Sequence, residues 1–141
     1  MTHHENICIT SFDYARLKNL VGSYAAGGQV KHNGTIARLA HELARAEKVE
    51  PEKIPADTVT MNSTFTLKDL DESNETRIVT LVFPDDADFE LGKMSITSPV
   101  GVAVLGYRAG DIVRWDVPAG EKTFQIEEII YQPEAAGDFH L

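Results

Sequence analysis

What this sequence lacks narrows its possible functions before any motif is read. Its 141 residues include one cysteine, Cys8, which excludes an internal disulfide and any intrachain pair of cysteines on zinc, and fits a reducing compartment. No apolar run is long enough to span a bilayer, and the first residues, Met1-Thr2-His3-His4-Glu5, lack the basic start and apolar stretch of a signal peptide. A soluble, cytoplasmic protein with no membrane partner is expected. Cations are scarce: 13 Lys and Arg against 22 Asp and Glu leave a formal net charge of −9. Neutralising phosphates needs clustered Lys and Arg, so sequence-specific nucleic-acid binding is not expected, and a protein or a basic groove suits this chain better.

Catalytic signatures are missing too. There is no Gly-rich phosphate loop of the Walker type, no internal repeat, and no Ser or Cys framed as a nucleophile, Ser63 and Cys8 included. His3, His4, Cys8, His32 and His41 share no zinc spacing. Asp85, Asp86, Asp88 and Glu90 gather carboxylates without the glycine and terminal glutamate of a calcium loop, and read as a solvated turn. No catalytic residue, metal site or cofactor is expected, and the chain reads as a non-enzyme.

What is present is enough apolar material, 43% of the residues, for a real core, arranged with two different periodicities. Thr10-Ser11 offers hydroxyl caps before Tyr14, Leu17, Leu20, Val21 and Tyr24, which predicts a helix from about Phe12 to about Ala25. Gly27-Gly28 breaks that pattern, and Asn33-Gly34-Thr35 precedes Ile36, Leu39, Ala40 and Leu43, a second helix ending near Glu47. Two amphipathic helices with a short polar connection favour an antiparallel hairpin, with arms of about 13 residues, roughly 20 Å long. Val49 to Pro55, with two prolines and several charges, reads as a linker. Beyond it the runs are short and β-branched or aromatic: Val59 to Met61, Phe65 to Leu67, Ile78 to Phe83, Met94 to Thr97, Ile112 to Val117 and Phe124 to Tyr131. Asp71 to Glu75 and Pro118 to Glu121 read as turns. One helical signal interrupts the strands: Ser98 as cap, Pro99 at the first helical position, and Gly106 as the stop. The expectation is an α+β chain, a helical hairpin over residues 1–54 followed by a β-sheet domain with one short helix over residues 55–141.

Three segments carry a resemblance: Asp57-Thr58-Val59-Thr60-Met61-Asn62-Ser63, Ser98-Pro99-Val100-Gly101-Val102-Ala103-Val104-Leu105-Gly106, and Tyr131-Gln132-Pro133-Glu134-Ala135-Ala136-Gly137-Asp138. The middle one resembles the Ser-Pro helix of the GreA/GreB family of transcript-cleavage factors, and the outer two resemble its Rnk-like branch. The resemblance implies an FKBP-like antiparallel β-sheet domain preceded by an antiparallel coiled coil. It also implies an RNA polymerase partner, gripped by the sheet domain at the rim of the secondary channel, with Ser98, Pro99, Val100, Gly101, Leu105 and Gly106 as contact candidates. In cleavage factors the coiled-coil tip carries paired acids that help hold the catalytic magnesium. Here the tip would be Ala26, Gly27, Gly28 and Lys31, and no Asp or Glu occurs from Lys18 to His41. The implied role is a transcription elongation regulator that competes with cleavage factors at the channel without stimulating cleavage.

Plainer readings remain open. Ser98 to Gly101 is equally a capped helix start with small residues for close packing, and Tyr131-Gln132-Pro133 is equally a strand end. Because prolyl isomerases share the FKBP fold, Phe83, Tyr107, Trp115 and Phe124 are either a pocket or simply core. A short hairpin with an apolar stripe also suits a self-associating scaffold. The expected oligomeric state is a monomer or weak homodimer.

Overall fold

A computed structural model describes residues 7–27, 34–71, 74–117 and 120–141. The chain opens with a short strand, β1 (Cys8–Thr10), and runs directly into helix α1 (Ser11–Ala26). Thr10 serves both elements: it closes the strand, and its hydroxyl accepts a hydrogen bond from the Asp13 amide, capping the helix. With 16 residues, α1 is about 24 Å long, somewhat longer than its periodicity suggested. Helix α2 (Gly34–Arg45) packs against it and stops short of Glu47, because Glu47 opens strand β2 (Glu47–Val49). β2 lies parallel to β1, pairing Cys8 with Glu47 and Thr10 with Val49. Three-residue strands do not declare themselves in sequence, and this pair sews the base of the hairpin shut.

The expected linker is partly ordered: Val49 belongs to β2, Pro51–Lys53 forms a 3-10 turn, and Ile54 is buried. The second part is a five-stranded sheet built from β3 (Thr64–Asp69), β4 (Thr76–Val82), β5 (Lys93–Ser95), β6 (Ile112–Val117) and β7 (Gly120–Tyr131), in the order β5-β4-β3-β7-β6. Its central pairings are antiparallel, as expected for this fold class. The edge departs from that pattern: β5 runs parallel to β4, so the sheet is mixed. The connection returns through two 3-10 turns, Pro84–Asp86 and Phe89–Leu91, and a parallel neighbour requires such a crossover. The predicted strand Val59 to Met61 is instead buried coil. Asn62 adopts a left-handed φ of 66°, and the Thr60 amide and hydroxyl turn inward to the Ser63 hydroxyl. β-Branched, buried coil has the composition of a strand, which is why the pattern misled. Residues 72, 73, 118 and 119, inside two expected turns, lie outside the described residues, as do His3, His4 and His32.

Helix α3 (Pro99–Val104) is capped by Ser98, whose hydroxyl accepts the Gly101 amide, as its sequence predicts. A further one-turn helix, α4 (Pro133–Ala136), follows β7 and closes on left-handed Gly137. Its four residues are too few to show periodicity.

One core joins the two parts. Ile7, Ile9, Leu17, Leu39 and Leu43 share a single cluster with Val59, Met61, Phe65, Leu81, Ile96, Leu105 and Ile126. The apolar stripe of the hairpin is therefore covered by the chain's own sheet domain. Burying each such aliphatic side chain contributes roughly 1.5–3 kcal/mol. Space at α3 is tighter still, since a Cβ built on Gly101 would sit 2.3 Å from the Ser95 carbonyl oxygen. Gly101→Ala is expected to cost about 2 kcal/mol or more, by the overpacking it forces, and to lower the melting temperature measured by circular dichroism. An unchanged melting temperature would show that the backbone there can yield.

Candidate functional site

The parallel pairing of β4 and β5 brings their C-terminal ends side by side: the Ile96 amide donates to the Val82 carbonyl at 2.8 Å. The segment Phe83-Pro84-Asp85 leaves one strand there, and Ser98-Pro99-Val100 begins the helix beyond the other. The Ser98 hydroxyl donates to the Ser95 carbonyl at 2.7 Å while accepting the Gly101 amide, so the first turn of α3 is fixed in place. Pro99 is exposed, and Ser98 and Val100 are half-buried. Gly101, Leu105 and Gly106 are buried within the chain. Gly106, with a φ of 83°, leaves a Cβ position only 2.7 Å from Ile7 Cβ. All three are packed within the chain, Gly101 against Ser95 and Gly106 against Ile7.

Helix α1 forms the opposite wall. Between them lies an open cleft of about 590 Å³, lined by Arg16, Leu20 and Tyr24 on the helix and by Phe83, Pro84 and Asp85 on the sheet side. The sequence places Phe83 at a strand end and among the candidate pocket aromatics, and Asp85 in a solvated turn, and does not single out Pro84. Only the parallel edge, invisible in the pattern, turns them toward α1.

The foot of this wall is a buried polar cluster. Asp13 is 1% exposed, and its carboxylate accepts the Met61 amide at 3.0 Å and one Arg16 guanidinium nitrogen. The same Arg16 nitrogen donates to the Leu141 carbonyl at 2.7 Å. The guanidinium also lies between two rings, 4.0 Å from the centroid of Phe12 and 4.8 Å from that of Phe83. Burial pushes the Asp13 carboxyl above its ordinary pKa, against the opposing pull of Arg16, the Met61 amide and Thr10. Glu134, which accepts the Thr60 hydroxyl at 2.7 Å, is pushed up as well, chiefly by burial.

Ala26 and Gly27 are exposed at the end of α1, while Gly28 and Lys31 lie outside the described residues. Among the described residues no three His, Cys, Asp or Glu side chains gather closely enough to hold a metal ion. Asp88 instead caps its own turn, accepting the Glu90 and Leu91 amides. The Cys8 thiol is pushed up by burial and by the nearby Glu47, away from reactivity. The four aromatics considered for an isomerase pocket are partly buried against the one core: Phe83 lies beside α1, Trp115 under Arg38 of α2, Phe124 opposite Val113, and Tyr107 next to Val59.

Comparison with known proteins agrees with this architecture. The family model for "Transcription elongation factor, GreA/GreB, C-term" matches residues 54–131, and that for "Rnk N-terminus" matches residues 5–49. The chain belongs to the GreA/GreB family of transcription elongation factors. Within it the chain sits in the Rnk branch: it is 44% identical to the "Regulator of nucleoside diphosphate kinase" of Escherichia coli (strain K12) over 101 residues, covering 71% of this chain and 74% of that protein. It is 39% identical to the transcription elongation factor GreA of Syntrophotalea carbinolica over 70% of this chain and 61% of that one. A solved prokaryotic transcription elongation factor GreA/GreB from Nitrosomonas europaea superposes with a TM-score of 0.72 at 39% identity, covering 89% of this chain and all of that one.

Removing the buried carboxylate with Asp13→Ala strands the Met61 amide and unpairs Arg16, and a loss of about 3 kcal/mol is expected in urea unfolding. A second expectation concerns pH. A carboxyl whose pKa is raised on folding holds its proton more tightly in the folded state, so its contribution is present below the ordinary value, 4.5 for Glu134, and is lost as pH rises through the raised one. The Glu134→Gln variant should therefore gain stability relative to the parent as pH rises from the ordinary value through the raised folded-state one. A stability gap that ignores pH would mean the folded-state pKa is not raised.

Proposed function

We propose that this protein binds core RNA polymerase at the rim of the secondary channel and regulates elongation there without catalysing a reaction. In this reading the β4–β5 end docks, through Pro99, Val100, Asp85 and the cleft beside α1, and the hairpin occupies the channel entrance. Residues 1–54 and 55–141 act as arm and grip. The observation that carries the reading is the chemistry of the arm: in a chain of this family, no Asp or Glu occurs from Lys18 to His41. Carboxylate oxygens are the ligands a hard Mg²⁺ ion takes, so an arm without them has nothing with which to recruit a catalytic metal for RNA hydrolysis. Such an arm can occupy the channel, and so exclude a cleavage factor, but not replace it. The net charge of −9 favours a protein partner over nucleic acid, and no described helix is long and apolar enough to cross a membrane. The scaffold alternative loses its motive, because Leu17, Ile36, Leu39 and Leu43 are at most 4% exposed within the chain. A monomer or weak dimer is the state we propose.

The test is capture of core polymerase by the intact protein and by Pro99→Asp, an exposed position where the fold should be unaffected, with excess cleavage factor as competitor. Capture by the parent, displaced by the competitor and weakened about tenfold or more by Pro99→Asp, is expected. A stalled elongation complex should show no shortening of its RNA. Equal capture by both proteins would move the contact surface elsewhere, and rapid RNA shortening would refute the non-cleaving role.

A further inference from the structure

The two family models end at residues 49 and 131, yet the ten residues beyond the second one are hydrogen-bonded to both parts of the molecule. The Gln132 side-chain amide donates to the carbonyls of Pro55 and Thr58, both at 2.8 Å, anchoring the tail to the segment that joins hairpin and sheet. Glu134 accepts the Thr60 hydroxyl, and the Tyr131 hydroxyl donates to Asp138, folding the tail back after α4. The tail ends against the base of α1. There the Leu141 carbonyl accepts Arg16 at 2.7 Å and the Asn62 amide at 2.6 Å. Arg16 is in turn bonded to Asp13, which holds the Met61 amide. Helix, buried turn and tail thus meet at one guanidinium.

We propose that residues 132–141 are a clamp that fixes the direction in which the hairpin projects from the sheet domain. β1 and the shared core attach the hairpin at its base, but a shared apolar contact is tolerant of rotation, whereas hydrogen bonds have directions. The bonds at Leu141 lie to the side of α1 and complete a three-point fixture with Met61 and the β1–β2 pair. This rests on the proposed docking reading for its consequence: a grip at one site and an arm entering another can both be satisfied only when the angle between them is set in advance, which lowers the ordering cost of binding.

The angle is measured in the free protein by double electron–electron resonance between spin labels at Gly22→Cys on α1 and Glu128→Cys on β7, both exposed, in a Cys8→Ser background. The parent should give one narrow distance distribution. Ending the chain after Ala136, which removes Asp138 and Leu141 and keeps the Gln132 and Glu134 anchors, should broaden it about twofold or shift its centre. Asn62→Gly, which keeps the left-handed backbone and removes only the amide donor, should do the same to a smaller degree, and it decides the matter if the shortened chain fails to fold. Unchanged distributions in the folded variants would overturn the clamp. Against polymerase, the shortened protein should still be captured but need about tenfold more protein to displace a cleavage factor. Absence of capture by the parent would strike the docking reading alone, since the distances are read without polymerase.

Discussion

Everything in this structure is referred to one buried ion pair, Asp13 with Arg16, set at the point where helix, sheet domain and C-terminal tail converge. An ionisable carboxyl at 1% exposure is costly unless it is fully hydrogen-bonded. Here the cost is offset by an amide from the sheet domain, a guanidinium from its own helix and a hydroxyl from its own cap. Apolar packing of Leu17 and Leu39 against Phe65 and Leu105 supplies more free energy, but it does not choose an orientation. The polar cluster does, because each of its bonds has one satisfactory geometry and leaving any partner unpaired in the interior is expensive.

From that orientation follows the rest of the site. With α1 held upright at the sheet's edge, its Arg16, Leu20 and Tyr24 face Phe83, Pro84 and Asp85 across the cleft. The parallel pair of β4 and β5 brings their C-terminal ends together, and the segments leading to Asp85 and to α3 depart from there. In the proposed reading the neutral arm and the grip are separate: one depends on which side chains occupy residues 18–41, the other on how strand ends are arranged.

Much of the architecture was legible in the sequence because it follows from periodicity. The helices showed through Leu17, Leu20, Ile36, Leu39 and Leu43 at helical spacing, and β6 through the alternation of Val113, Arg114 and Trp115. The Ser98-Pro99 helix start showed because capping chemistry is local. What stayed hidden depended on tertiary context. Strands β1 and β2 are too short for a pattern, and the Val59 to Met61 coil is buried for reasons that lie in Ser63 and Tyr107. The parallel direction of β5 is set by a crossover whose two 3-10 turns look like any polar loop. Asp13 and Arg16 are three residues apart on a helix, the commonest surface arrangement, and nothing local says that one of them is interior. Of the expected contact residues, Gly101, Leu105 and Gly106 are buried within the chain, and spacing alone does not separate packing from contact.

The central claim is that the β4–β5 end faces the polymerase. The most direct measurement places a photoreactive benzoylphenylalanine at position 99, with exposed position 121 on β7 as the comparison, and irradiates each protein with core polymerase. The account predicts a covalent adduct to a polymerase subunit from position 99 and none from position 121. Adducts from position 121 alone would contradict it, and would turn the gripping surface to the other edge of the sheet.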